Sequence, residues 1–171
     1  MPVPLFPDPA PMSEPQIRAE LIASFKNRAM LYWHFFDTMR KALGPDQAAE
    51  LMKAAIYRRG LEVGKRFAQH GPRDMTGIRD AFLKFIPDNG ALFEPEVLRC
   101  DEQGVDIKFH RCPLKDAWQE ADLSPEDISK LCHIAGRVDN GTFEAAGFHF
   151  SADTWKPGHE GCCHLHIRPG S

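Results

Sequence analysis

The chain has 171 residues, a length typical of one domain with a buried core. It is 43% hydrophobic and 26% charged, with a formal net charge of -3, which is ordinary for a globular protein. This charge balance gives no indication of nucleic-acid binding, and no apolar run approaches the ~18 residues that a membrane span requires.

The compartment and the state of the cysteines are linked expectations. The N-terminus lacks the basic start and apolar stretch of a secretory signal, so we expect a cytoplasmic protein. Thiols stay reduced in the cytosol, and the spacings of the five cysteines fit no disulfide framework. We therefore interpret the cysteines as free thiols, with metal ligation as the alternative.

The N-terminal half is predicted to be helical. Residues 1–12 are proline-rich and are predicted to form a flexible tail before one α+β domain over 13–171. Ser13 is predicted to cap a helix, with Gln16 three residues further on, and apolar residues recur at steps of three and four from Ile17 to Leu43. A second helix follows Gly44-Pro45. The two helices are predicted to pack as a hairpin, or alternatively to place Tyr32, Trp33 or His34 in a ligand pocket. Gly60 and Gly64 in the second helix indicate a close crossing with another element.

The C-terminal half mixes both periodicities. The pattern predicts a helix over Thr76–Phe85, a hairpin of strands Glu96–Asp101 and Val105–Arg111, helices over Leu114–Ala121 and from Ser124, a turn at Asp139, and two closing strands between Phe148 and Ile167. This order predicts α+β architecture with one antiparallel sheet of about four strands, covered by helices on one face.

The last strand carries the metal alternative. Because side chains alternate along a strand, Cys162, His164 and His166 are expected on one face, and Cys163, Leu165 and Ile167 on the other. The first set could hold zinc, with a further ligand from His149, Asp153 or His110.

Cys112 is the thiol with the strongest physical case for activation. It precedes Pro113 at a predicted helix start, where unpaired amides and the helix dipole favour an anion and lower a thiol pKa. Cys132 lies on the apolar stripe of the next helix and on its own indicates a core position. Cys163 has the same interpretation, since it shares a face with Leu165.

An ordered set of short motifs resembles the L-2-amino-thiazoline-4-carboxylic acid hydrolase family. The set is Cys112-Pro113-Leu114, Leu131-Cys132, Val138-Asp139 and Gly158 followed by Cys163-x-Leu165-x-Ile167. The resemblance covers about Ala42 to Ile167. The sequence departs from the family pattern where His159 replaces the usual Asp, Leu165 replaces an aromatic, and the cysteine is doubled.

The resemblance implies a fold related to 4-vinyl-reductase-type ligand-binding domains and a hydrolase that opens a small cyclic amidine, typically to an N-carbamoyl amino acid. The matching positions are Cys112, Cys132, Asp139 and Cys163. A thiolate, with Cys112 preferred over Cys163, would attack the ring carbon. Asp139 and an imidazole, His164 or His133, would move protons.

Four residues are expected to contact substrate, and two other classes stay open. Arg111 and Lys156 could hold a substrate carboxylate, and Trp155 and Tyr32 could line the pocket. We expect no cofactor, a small-molecule partner, neither nucleic acid nor membrane, and a possible homo-oligomer. The alternatives are a zinc hydrolase using His164, His166 and Cys162, and a non-catalytic module that binds or senses a small ligand.

Overall fold

The computed structural model describes residues 10–171. These residues form six α-helices, two short 3-10 helices and one four-stranded antiparallel sheet, which confirms the predicted α+β class. The 4-vinyl-reductase resemblance stays a prediction. Residues 1–9, most of the predicted tail, lie outside the described part of the chain. Within residues 10–171, none of the helices combines the length and the apolar character needed to cross a bilayer.

The N-terminal helices form the predicted hairpin. Helix α1 runs over Glu14–Leu43 and α2 over Pro45–Gly64, joined at Gly44. The start of α1 is capped as the sequence predicts, because the Ser13 backbone N–H donates a 2.8 Å hydrogen bond to Gln16 Oε1. Gly44, at φ +88°, supplies the left-handed backbone that turns one helix into the next.

The remaining elements follow in the predicted order with one addition. They are α3 (Met75–Phe85), β1 (Pro95–Asp101), β2 (Gly104–Phe109), α4 (Pro113–Glu120), α5 (Pro125–Ala135), α6 (Arg137–Ala145), β3 (His149–Asp153) and β4 (His164–Arg168). The sheet order is β1-β2-β4-β3, so the two predicted hairpins meet where β2 pairs with β4.

The sheet has one covered and one open face. Val105, Ile107, Leu165 and Ile167 are at most 1% exposed and face the helices. On the other face the His166 ring lies between two carboxylates, 2.7 Å from Asp106 and 3.1 Å from Asp153. Strand alternation in β2 and β4 therefore separates an apolar core from a polar surface, as predicted for β2.

The predicted turn at Asp139 is wrong, because this residue lies in the first turn of α6. The Asp-Asn-Gly sequence is typical of turns, but here Gly141 serves helix packing instead. Gly60 of α2 and Gly141 of α6 face each other so closely that a Cβ on either glycine would overlap backbone atoms of the partner helix. This contact confirms the close crossing that Gly60 and Gly64 indicated.

The crossing predicts the effect of Gly60→Ala. Intrinsic helix propensity would favour alanine by about 1 kcal/mol. Overlap of the new methyl group with the Val138 carbonyl of α6 should outweigh that gain and lower the free energy of unfolding by about 1–3 kcal/mol. Urea denaturation of the variant and the parent protein measures the difference.

The matched control is Ala55→Gly, at an exposed position of the same helix. It should lower the free energy of unfolding by about 1 kcal/mol through propensity alone. A Gly60→Ala protein as stable as the parent would show that α2 and α6 do not approach as closely as described.

Candidate active site: a cluster of thiols

Four cysteines converge from distant parts of the chain. The Cys162 Sγ lies 3.1 Å from the Cys163 Sγ, and the thiols of Cys112 and Cys132 are near enough to contribute to the raised pKa of Cys162. We call these four residues the thiol cluster. Cys112 precedes α4, Cys132 lies on α5, and the adjacent pair precedes β4. The fifth cysteine, Cys100, lies in β1, where its Sγ is 3.9 Å from the Met75 carbonyl oxygen.

The end of β2 explains why the thiols meet. The Cys162 N–H donates to the Phe109 carbonyl, and the Phe109 N–H donates to the Cys163 carbonyl, both at 2.9 Å. Two residues thus face one, which is the pattern of a β-bulge. Phe109 is three positions before Cys112. The pairing of Phe109 with Cys162 and Cys163 therefore places the start of α4 beside the doubled cysteine.

The bulge also corrects the predicted faces. Strict alternation places Cys162 with His164 on the polar face, but β4 begins only at His164 and Cys162 is 8% exposed within the core. The prediction is wrong because a bulge interrupts the two-residue period. Cys163 is half-buried and packs against the edge of the core.

Cys112 has an environment that favours its thiolate. It is half-buried, and it is the residue immediately before α4, with Pro113 in the first turn. A hydrogen bond from Cys162 and the backbone N–H groups of Lys115 and Leu114 hold the Cys112 pKa below the usual value of a thiol, despite burial. The predicted activation at a helix start therefore has a structural basis.

The pKa of Cys162 is shifted in the opposite direction. Its hydrogen bonds to Cys112, Cys132 and Cys163, together with burial, strongly raise its pKa, so it stays protonated as a donor. Two thiols with opposite shifts can take opposite roles, one as nucleophile and one as proton-holding neighbour.

The segment 154–163 between β3 and β4 is anchored by two buried residues. The Trp155 indole, 7% exposed, donates to the His159 carbonyl at 3.1 Å. The Lys115 ammonium, on α4, donates to the Gly161 carbonyl at 2.9 Å and lies 5.8 Å from the Trp155 ring centroid. These contacts fix the backbone immediately before Cys162.

A charged groove lies on the other side of α5. Two hollows of about 350 and 520 Å³ share three of their lining residues, Glu50, Lys53 and His133. Arg137 lines the first hollow, and Lys156 lines the second. Neither hollow is lined by a cysteine, but His133 follows Cys132 on α5, and Lys156 belongs to the segment that ends at the thiol cluster.

His133 and Asp139 have shifted pKa values suited to proton transfer. Burial, followed by the charges of Lys53 and Arg137, lowers the His133 pKa and favours a neutral imidazole. Asp139 as a residue is half-buried, but burial of its carboxyl group raises its pKa to about 7, and the nearby Arg28 offsets little of this effect.

The other predicted residues lie outside both the thiol cluster and the charged groove. Arg111 pairs with Asp116 at 3.1 Å and Glu94 at 3.6 Å. Tyr32 packs half-buried against the helical core. His164 lies at the start of β4, opposite Asp153 of β3.

The predicted zinc ligands do not converge, since Cys162 is in the core while both ring nitrogens of His166 have carboxylate partners. Within residues 10–171, no three His, Cys, Asp or Glu side chains are grouped so that they could hold a metal ion.

Sequence reasoning missed Cys162 as the centre of the cluster and Lys115 as a buried support. The doubled cysteine was the available signal for Cys162, since only a bulge places both thiols near one neighbour. Lys115 gave no signal, because a lysine on an amphipathic helix is normally exposed.

The α+β fold and the low-pKa thiol at a helix start are compatible with hydrolases that use a cysteine nucleophile. The family model described as L-2-amino-thiazoline-4-carboxylic acid hydrolase matches residues 24–167. The chain therefore belongs to this family, as the sequence motifs indicated, and the family name indicates a hydrolase. A search of curated proteins found no match.

A solved structure shares the fold. The chain is similar to trafficking protein particle complex subunit 3 from Naegleria fowleri, covalently bound to palmitic acid, with a TM-score of 0.57 and 15% identity. The similarity covers 87% of this chain and 96% of the other. At this identity the likeness shows the fold alone.

The raised pKa of Asp139 predicts that the free energy of unfolding falls as the pH rises. An ordinary aspartate has a pKa near 4, so the folded chain binds more protons than the unfolded chain between about pH 4 and pH 7. Relative to Asp139→Asn, the parent should lose stability as the pH rises through this window, by at most about 4 kcal/mol. Urea unfolding at pH 5 and pH 8 measures the loss.

Asp46→Asn, at an exposed carboxylate in the first turn of α2, is the control, and its difference from the parent should not change between the two pH values. Parallel pH profiles for the parent and Asp139→Asn would contradict the buried ionisable carboxyl.

Proposed function

We propose that the protein is a hydrolase that opens a small cyclic amidine, of the thiazoline or imidazoline type, by nucleophilic attack of Cys112. The family supports hydrolysis, and the observation that carries the proposed mechanism is the position of Cys112 immediately before α4, where the backbone N–H groups of Leu114 and Lys115 favour its thiolate. A thiolate is the reactive form of cysteine, and Cys112 is the thiol in the cluster for which that form is favoured.

The proposed reaction has two steps. The Cys112 thiolate forms an S–C bond to the amidine carbon, the ring C–S or C–N bond breaks, and the departing atom takes a proton. Water then attacks the same carbon and displaces Cys112 as thiolate, which gives the open carbamoyl product. The net change is the addition of one water molecule, and the enzyme returns to its starting state.

Backbone N–H groups, a carboxyl group and an imidazole could support the proposed reaction. The backbone N–H groups at the start of α4 that favour the thiolate would also stabilise negative charge developing beside Cys112. With a pKa of about 7, Asp139 can both release and accept a proton near neutral pH, and a neutral His133 can act as a base. We propose these two residues as the proton carriers.

For the substrate carboxylate we favour Lys156 over Arg111. Lys156 is exposed and lines the groove that also contains His133, whereas two carboxylates already neutralise Arg111. Ser129 Oγ donates to the Trp155 carbonyl at 3.3 Å, which ties the residue before Lys156 to α5. In this proposal Trp155 positions the segment rather than stacking on the ring.

The proposed chemistry uses a thiolate, a carboxyl and an imidazole, and we assign it no cofactor. We place it in the cytoplasm, where the thiols would stay reduced. The partner is a small molecule, with no nucleic acid or membrane. The proposed homo-oligomer would bury Leu31 and Phe35, which are 45% and 56% exposed on α1.

Replacing the nucleophile should abolish turnover. We expect Cys112→Ser to lower kcat for a cyclic amidine carboxylate by at least about 10³-fold, because a serine hydroxyl at neutral pH is far less nucleophilic than a thiolate. Parent protein quenched during turnover should show the substrate mass on the peptide that contains Cys112, by mass spectrometry.

Cys100→Ser is the matched control and should retain parent activity, because Cys100 lies outside the thiol cluster. Full activity in Cys112→Ser, or an adduct on another cysteine, would overturn the assignment. Activity lost to a chelator in protein with about one zinc per chain would favour the zinc alternative instead.

Loss of the proposed carboxylate contact should affect binding rather than chemistry. We expect Lys156→Ala to raise KM by about 10- to 100-fold with little change in kcat, since a charge-assisted hydrogen bond of this kind contributes about 1.5–3 kcal/mol. Arg111→Ala should leave KM near the parent value. Steady-state kinetics of both variants decide between the two cations, and the reverse result would move the carboxylate to Arg111.

A second candidate is a non-catalytic module that binds a small ligand through a thiol. The observation behind it is the shared fold with the trafficking subunit described as covalently bound to palmitic acid. Incubation with a palmitoyl thioester, followed by intact-protein mass measurement, tests it. Stable acylation without turnover of any cyclic amidine would favour this candidate.

A further inference from the structure

We propose that the adjacent thiols of Cys162 and Cys163 form a two-sulfur binding site for a trivalent organoarsenical, a compound whose soft arsenic atom carries one organic group. Both sulfurs would bind the same arsenic atom. This site goes beyond the proposed hydrolysis, since it uses neither the Cys112 thiolate nor a cyclic amidine.

The two sulfurs point toward each other, which is unusual for neighbouring residues. Adjacent side chains of an extended strand lie on opposite faces, and this keeps them apart. Here the Cys162 Sγ lies 3.1 Å from the Cys163 Sγ. The two cysteines lie in the β-bulge, where both face the single residue Phe109 of β2. The sulfur–sulfur contact therefore depends on strand pairing as well as on the doubled cysteine.

The backbone around the pair is fixed before any ligand arrives. Two hydrogen bonds of 2.9 Å tie Cys162 and Cys163 to Phe109, and the Lys115 ammonium holds the Gly161 carbonyl at 2.9 Å. Cys163 is half-buried and Cys162 is 8% exposed, so a ligand reaches Cys163 first. Because the second sulfur is already in place, binding loses little conformational entropy.

The distance between the sulfurs favours a shared ligand atom over a disulfide. Neighbouring Cα atoms are about 3.8 Å apart across a trans peptide, which is shorter than the ~4.4 Å that disulfides normally require. Bonds from cysteine sulfur to an ion such as zinc are about 2.3 Å long. At that bond length, two sulfurs 3.1 Å apart enclose an angle close to a right angle at the shared atom.

Trivalent arsenic has this geometry. Its three bonds form a pyramid with angles near a right angle, because a lone pair occupies the fourth position. Tetrahedral zinc needs sulfurs about 3.8 Å apart and further protein ligands. Within residues 10–171, no three His, Cys, Asp or Glu side chains are grouped to supply them. In an organoarsenical the organic group is the third substituent, so two soft sulfur ligands complete the coordination.

The reaction balances without an oxidant. The hydrated oxide R–As(OH)2 loses one hydroxyl group as each thiol sulfur forms an S–As bond. Each hydroxyl group leaves as water with the proton of the thiol that replaces it. Arsenic stays trivalent, and neither sulfur is oxidised.

The test mixes the reduced full-length protein with an equimolar amount of phenylarsine oxide. Excess 2-mercaptoethanol is present to compete with single thiols. We expect intact-protein mass spectrometry to show one adduct per chain, with the mass of phenylarsine oxide less one water. After iodoacetamide treatment, peptide mapping should show Cys162 and Cys163 protected and Cys100 alkylated. The dithiol 2,3-dimercaptopropanol should remove the adduct.

Matched variants identify the two sulfurs. Cys162→Ser and Cys163→Ser should each bind at least about 100-fold more weakly, because the second bond to a two-sulfur site is intramolecular. Cys100→Ser and Cys112→Ser should bind like the parent. Circular dichroism checks that each variant is folded, and the protection map of the parent protein needs no variant.

Protection of a different pair of cysteines, an adduct lost to 2-mercaptoethanol, or equal binding by the parent and Cys163→Ser would each overturn the proposal. The readout is mass and needs no cyclic amidine. The kinetic tests of the hydrolase and this binding test therefore succeed or fail independently.

Discussion

The backbone exchange between Phe109 and the doubled cysteine is the constraint on which the site depends. One residue at the end of β2 donates to Cys163 and accepts from Cys162. Because α4 starts within four residues of Phe109, the same exchange fixes the distance between the helix start and the two thiols. Without the bulge, Cys162 would face the polar side of the sheet, and Cys112 would lose the hydrogen bond that contributes most to its lowered pKa.

The electrostatics of the cluster follow from this packing rather than from any salt bridge. Backbone N–H groups of Leu114 and Lys115 and a neighbouring thiol lower the Cys112 pKa. Such donors are uncharged and fixed in place, so they favour an anion without placing a competing cation beside it. The buried Lys115 acts indirectly, since it holds the Gly161 carbonyl and so the segment that carries Cys162.

Periodicity and capping signals predicted the elements well because they report local physics. The alternation in β2 and the proline starts of α4 and α5 each depend on residues that are close in the chain or on backbone geometry alone. The same local signals failed where tertiary contact decided the outcome. Asp-Asn-Gly at Asp139 is a turn sequence, but packing of Gly141 against α2 makes it helical.

In the thiol cluster, too, the local features were predictable from the sequence and the tertiary contacts were not. The helix start at Cys112 was predictable from Pro113, whereas the position of Cys162 depends on a bulge between two strands that are more than fifty residues apart. The alternation of apolar and polar residues along a strand does not indicate where such a bulge occurs. The burial of Trp155 was likewise not predictable, because its indole N–H donates to the His159 carbonyl inside its own segment; its expected contact with substrate stays a prediction.

The shared fold with the trafficking subunit does not transfer a function, because one fold supports unrelated activities. In this chain the segment 154–163 joins two features of different chemistry. One end, at Lys156, lines an open charged groove with His133, and the other end contributes the buried Cys162 to the thiol cluster. A small acid held at the groove end would keep its charge in water, while an amidine ring near the cluster would meet a nucleophile in surroundings of low dielectric. Trp155 and Lys115 anchor this segment through the His159 and Gly161 carbonyls, so the same short stretch of backbone holds both the groove end and Cys162.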